Sequence, residues 1–173
     1  MDAVALLKGQ MDEAWDVLAR AMSEVDDAMV SWRPASRGCW ELRRQDGGWR
    51  PDYHGDRPLP PGPKTIGWLA GHLAGCKEMY FEYAFGPAKK TWDELTIPGD
   101  AEGLRGYLSR TQEPIRRALD GLNAPDLDRM ALTNWGEHKP LWWILWTMAS
   151  HDLEHGGQIW QVRNQYVVTH AAT

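Results

Sequence analysis

The chain has 173 residues, of which 43% are hydrophobic and 25% charged, and its formal net charge is −5. This length supports a full apolar core in a single domain spanning residues 1–173, and the acidic balance argues against a nucleic-acid partner. Two cysteines, Cys39 and Cys76, are too few for a disulfide framework and point to a reducing, cytoplasmic setting, with no signal peptide and no apolar run long enough to span a membrane.

Val4, Leu7, Met11, Ala14, Leu18, Ala21, Val25 and Ala28 recur at spacings of three and four. This heptad-like seam predicts one long helix over 2–29, with Asp12, Glu13, Arg20, Glu24 and Asp26 on its solvated face. Prolines and glycines forbid a regular helix from Ser31 to Lys64. A connection of that length is functional or disordered, and Trp32, Trp40, Trp49 and Tyr53 argue against disorder. The expectation is an ordered loop with a short hairpin, packed as a lid or wall over the end of a bundle at which the next helix starts.

Thr65 caps a second helix that Gly86 and Pro87 end, with Ile66, Leu69, Leu73, Cys76, Tyr80 and Tyr83 as its core stripe and His72 on the border. Asp100 caps a third, carrying Leu104, Leu108, Ile115 and Leu119, with a kink expected at Pro114. A loop from Asn123 to Glu137 leads to a fourth helix starting near Lys139, with Pro140 in its first turn. Four helices with one long crossover between the first two predict an all-α four-helix bundle.

The fourth helix is apolar on two sides. Ile144, Met148, His151, His155, Gln158 and Val162 form one stripe, and Trp142, Trp146, Ala149, Leu153 and Trp160 the opposite one. Histidines four apart share a helix face, which lets both imidazoles approach one metal ion at about 2.0–2.1 Å. His72 supplies a third donor from a neighbouring helix. Three neutral histidines leave an open position and an uncompensated divalent charge, the pattern of a catalytic Zn²⁺ or Ni²⁺ site that activates a thiol or water. Gln158 is placed to orient a ligand or the substrate, and Asp152 and Glu154 are candidates to orient imidazoles, although Glu154 reads first as a solvated residue.

Other candidates are weaker. His151 to His155 fits the H-x-x-E-H pattern of inverted zinc peptidases, but no Asp or Glu follows His155 to complete such a site. Cys76, one turn after His72, would close the site as a fourth ligand and reads instead as a small core residue. His54 reads as exposed, and His138 lies about 19 Å along the helix from His151 at 1.5 Å per residue. Arg43, Arg44 and Arg50 are candidates for an acidic cosubstrate, with solvation as their default role.

Thr65-Ile66-Gly67-Trp68-Leu69-Ala70-Gly71-His72-Leu73, with Leu141-Trp142-Trp143-Ile144-Leu145 and His151-Asp152-Leu153-Glu154-His155-Gly156-Gly157-Gln158-Ile159, resembles the DinB-like family of metal-dependent enzymes. Ser31-Trp32-Arg33-Pro34 is similar to the family's W-R-P signature. The resemblance spans nearly the whole chain and is thinnest from Arg37 to Lys64. It implies a bundle of DinB-like type, often dimeric, with a divalent metal on the three matching histidines and thiol-dependent transferases or isomerases among its relatives. The expected function is a metal-dependent S-transferase or hydrolase acting on a small molecule with a low-molecular-weight thiol as cosubstrate. The alternative is a non-catalytic dimeric bundle that binds a metal or ligand. A homodimer is expected through the tryptophan stripe of the fourth helix, unless the long loop covers it.

Overall fold

Asp2 opens helix α1 (Ala3–Met22), its carboxylate accepting from the Val4 amide at 3.2 Å, and the seam buries Val4, Met11, Ala14, Leu18 and Ala21. The expected single helix over 2–29 is in fact two. The chain leaves α1 at Ser23, and Asp26, in extended conformation, caps the short α2 (Asp27–Ser31) by accepting from the Met29 amide at 2.8 Å. An aspartate at that point offers the backbone a partner outside the helix, which outweighs the continuing apolar period. Asp27 then accepts from the Ala101 amide at 2.8 Å and ties the break to the third long helix. The computed structural model describes residues 2–52 and 62–171.

The crossover carries an antiparallel hairpin, β1 (Leu42–Gln45) and β2 (Gly48–Pro51), with Leu42 opposite Pro51. Its turn residues Asp46 and Gly47 have φ of 50° and 81°, the left-handed pair that an Asp-Gly hairpin turn of mirror-image type requires. The hairpin is clasped from several sides. The Trp40 amide donates to Pro63 at 2.8 Å, Trp68 Nε1 donates to the Asp52 carbonyl at 2.7 Å, and Leu42 lies against Gly67 and Gly71. Tyr53 and His54 fall outside the described residues.

Helix α3 (Ile66–Phe85) starts as expected at Thr65, whose hydroxyl accepts from the Trp68 amide, and stops at Gly86. Helix α4 (Ala101–Asp120) is capped by Asp100 and runs through Pro114 to its end. The connection that follows is more regular than expected: a 3-10 turn over Ala124–Asp128 and a second hairpin, β3 (Met130–Leu132) with β4 (His138–Pro140). Strands of three residues leave no periodicity to read; Gly136, at φ 88°, marks the turn. Pro140 is extended, so helix α5 (Leu141–His170) begins one residue after it.

The long helices α1, α3, α4 and α5 enclose two apolar clusters, one above the other. One joins Leu18, Leu69, Leu73, Leu104, Leu108 and Ile159; the other joins Met11, Ile115, Leu119, Leu145 and Met148. Among the described residues no helix is long and apolar enough to cross a membrane.

The hairpin is keyed to the bundle by Trp49, which pairs through a bridge with Ile97 and rests on Gly99, where a Cβ would lie 2.1 Å from the indole. Gly99→Ala is expected to displace Trp49 and destabilise the protein by about 1–3 kcal/mol, the usual cost of overpacking. Urea unfolding measures this, and a change below about 0.5 kcal/mol would show that the hairpin is not anchored there.

Candidate metal centre

His151 and His155 lie one turn apart on α5, at the level where one apolar cluster gives way to the other, and His72 faces them from α3. The ring centroids are 4.4 Å apart for His151 and His155, 5.1 Å for His72 and His151, and 5.3 Å for His72 and His155. Three imidazoles sharing an ion at 2.0–2.1 Å would have ring centres roughly 5 Å apart. Trp68 stacks on His72 at 4.5 Å and meets His155 edge-on at 6.4 Å, which limits the tilt of both rings.

Each ring is prepared as a neutral donor. Burial and the neighbouring imidazoles His151 and His155 hold His72 well below the ordinary histidine value. Burial, then His155 and the Lys77 ammonium, lower His151 to about 3. Burial also lowers His155. His155 Nδ1 lies 3.0 Å from Gln158 Oε1; since a carbonyl oxygen only accepts, Nδ1 carries the proton and the Nε2 lone pair is left for a ligand. Gln158 Nε2 in turn donates to Glu154 at 3.4 Å. Gln158 thus orients His155, and Glu154 is not merely solvated. Among the described residues His151 Nδ1 is buried with no hydrogen-bond partner, a cost that a bound cation would remove. Among the described residues, the donor atoms near enough to one another to share a metal ion are those of His72, Cys76 and His151, with His155 one turn beyond His151.

Cys76 lies closer than expected. Its Sγ is 3.6 and 3.7 Å from the two His72 ring nitrogens, and donor atoms of His72, Cys76 and His151 lie within 4.8 Å of one another, so this group could hold a metal ion. Complete burial pushes the thiol up to about 12, which keeps it protonated. Neither cysteine is in a disulfide among the described residues.

Asp152 does not orient an imidazole. Its carboxylate is 2.6 Å from Lys77 Nζ, and both side chains are sealed from solvent. Lys77 also donates to Gln112 of α4 at 2.7 Å and lies 5.0 Å from the centroid of Trp15 on α1. Burial pushes Lys77 down and Asp152 up, while their mutual attraction opposes both shifts. Of the loop arginines, Arg43 pairs with Asp52 and Glu41, Arg50 donates to the Leu95 and Asp93 carbonyls, and Arg44 is exposed. Arg43 and Arg50 thus hold structure together. His138 pairs with Leu132 in the second hairpin, outside the histidine cluster.

A helical bundle with histidine donors converging from two of its helices is the class of protein defined here. The chain belongs to the DinB superfamily, whose profile matches residues 10–159. A conserved protein of Enterococcus faecalis with a known crystal structure has the same fold, at a TM-score of 0.62 and 15% identity over 95% of this chain and 97% of that one. No curated protein matches the chain.

The buried pair generates a prediction about the fold. Lys77→Met, which leaves Asp152 charged and alone in the core, should destabilise the metal-free protein by about 3–5 kcal/mol. Lys77→Met combined with Asp152→Leu should recover most of that loss, because desolvation of both charges is then avoided. Chemical unfolding of the three proteins decides it; a single variant within about 1 kcal/mol of wild type would show that the charges are not effectively buried.

Proposed function

We propose that this protein is a metal-dependent enzyme that holds one divalent ion, Zn²⁺ or Ni²⁺, on His72, His151 and His155, and activates a thiol cosubstrate or water for transfer or hydrolysis. The observation that carries this reading is the convergence of three neutral imidazoles, one of them with a buried, unpartnered nitrogen. An ion held there would supply Lewis-acid chemistry, lowering the pKa of a water or thiol enough to yield a nucleophile near neutral pH. Trp68 and Gln158 keep the rings in place, and the proton fixed on His155 Nδ1 leaves its Nε2 toward the ion. Cys76 serves as a protonated core residue beside His72, which keeps the site open for substrate. A four-ligand structural site that includes Cys76 is the competing arrangement, favoured by the short Sγ distances.

Metal analysis and cobalt substitution separate these readings. Wild type should bind about one equivalent, and His72→Ala, His151→Ala and His155→Ala should each lose at least about tenfold in affinity. Cys76→Ser should retain the metal, and the cobalt form of wild type should lack a thiolate charge-transfer band. Undiminished metal in the His151 and His155 variants would refute the site, and a charge-transfer band that Cys76→Ser abolishes would establish the closed one. Metal binding without turnover of thiols and electrophiles would leave a binding protein.

The same proposal includes a homodimer. Trp142, Trp146, Leu153 and Trp160 on the outer face of α5 are 42–48% exposed, so the described part of the crossover does not cover them. Leu6, Gly9 and Glu13 of α1 border a groove of about 490 Å³ beside Trp146 and Leu153. Knob and groove share one face, which suits a two-fold contact in which each copy places Trp146 in the other's groove. Light scattering at micromolar concentration should give twice the chain mass, and Trp146→Glu with Trp160→Glu should give a folded monomer. A monomeric wild type would overturn the dimer.

A further inference from the structure

The imidazoles are not the last polar group on this side of the bundle. Where the crossover enters α3, a cavity of about 190 Å³ is lined by Lys64, Leu69, Gln158, Gln161 and Gln165. Gln158 belongs to both places, accepting from His155 Nδ1 with its carbonyl oxygen and also lining the cavity. The Lys64 ammonium stands 5.6 Å from the Trp40 ring centre and 5.7 Å from that of Trp68, the indole that stacks on His72. No carboxylate among the described residues pairs with it. Its charge is felt at His72 and His155, both of which it pushes toward the neutral form.

Charge balance points to an occupant. Three neutral imidazoles do nothing to offset a divalent ion, Asp152 neutralises Lys77, and exposed Glu154 faces Gln158. Lys64 therefore adds to an excess of positive charge at the mouth, and an anionic ligand is drawn there. A single compact ammonium with three donors, beside a row of amides, suits a carboxylate better than a phosphate, for which a guanidinium fork or a nest of backbone amides is the stronger partner. The volume holds roughly six waters at about 30 Å³ each, below the range of roughly 300–1,000 Å³ for drug-sized ligands, so the seat takes a small head group.

We propose that this cavity is the specificity subsite for the carboxylate of a small organic acid, seated on Lys64 and the Gln158, Gln161 and Gln165 amides while its other end reaches the imidazoles. The inference rests on the metal reading above for the second end of the ligand, but the Lys64 seat can be tested without it. Calorimetry on zinc-loaded protein should show 3-mercaptopropionate, its thiol toward the zinc, binding at least about tenfold tighter than 3-mercaptopropionamide, the change expected for a charge-assisted hydrogen bond. Lys64→Gln should abolish that preference and Lys64→Arg should restore part of it, with zinc stoichiometry unchanged in both. Equal affinity for 3-mercaptopropionate and 3-mercaptopropionamide in wild type, or a preference that survives Lys64→Gln, would overturn the subsite. A zinc titration without binding would refute the metal reading alone. The seat would then be judged on metal-free protein, where propionate binding lost in Lys64→Gln supports it and propionate binding that is absent, or equal in both proteins, refutes it.

Discussion

The Lys77–Asp152 pair is the contact on which the arrangement of the bundle turns. It joins α3 to α5 in the interior, Gln112 brings in α4 by accepting from the same ammonium, and Trp15 closes the layer from α1. All four long helices thus meet in one polar layer between two apolar clusters. Apolar packing alone tolerates sliding and repacking, because many registers bury similar area. A buried charge pair tolerates neither, since separating the partners leaves each desolvated and unpaired.

The histidines follow from that constraint. His151 directly precedes Asp152, and Cys76 directly precedes Lys77 with His72 one turn earlier, so fixing the pair also fixes the spacing of the donors across the two helices. The pair contributes electrostatically as well, since the Lys77 charge helps keep His151 neutral. The donor set consequently has no carboxylate of its own. An ion there would keep most of its charge for whatever occupies the remaining position, which favours anionic ligands over neutral ones.

Much of this was legible in the sequence, for local reasons. Thr65, Gly86 and Asp100 act on the amides and carbonyls next to them, so the limits of α3 and α4 could be read from single residues. The i, i+4 histidines needed only helix geometry to share a face. The break after Met22 was hidden because the seam continues through Val25 and Ala28, and a single cap at Asp26 overrules it. Lys77 and Asp152 were hidden more deeply. Each charge alone reads as solvated, and only the position of Lys77 four residues after Leu73 on an apolar stripe, with an opposite charge at a matching depth on α5, would have signalled a buried pair. Lys64 carries no such mark; its position is set by the Trp40 strand bridge, a contact made across the crossover.

The tryptophans divide along the same lines. Trp68 is buried and works on the inside, stacking on His72, packing against Trp40 and bonding to Asp52. It thereby links the crossover, the Lys64 charge and the imidazoles through one rigid side chain. Trp142, Trp146 and Trp160 stand exposed on the opposite face of α5. One helix can carry both sets because its two faces are separated by the 3.6-residue period, with the inner face fixed by the buried pair and the outer face free of it. A change on the outer face therefore has little effect on the donors, whereas a change at Asp152 acts on both the donors and the fold.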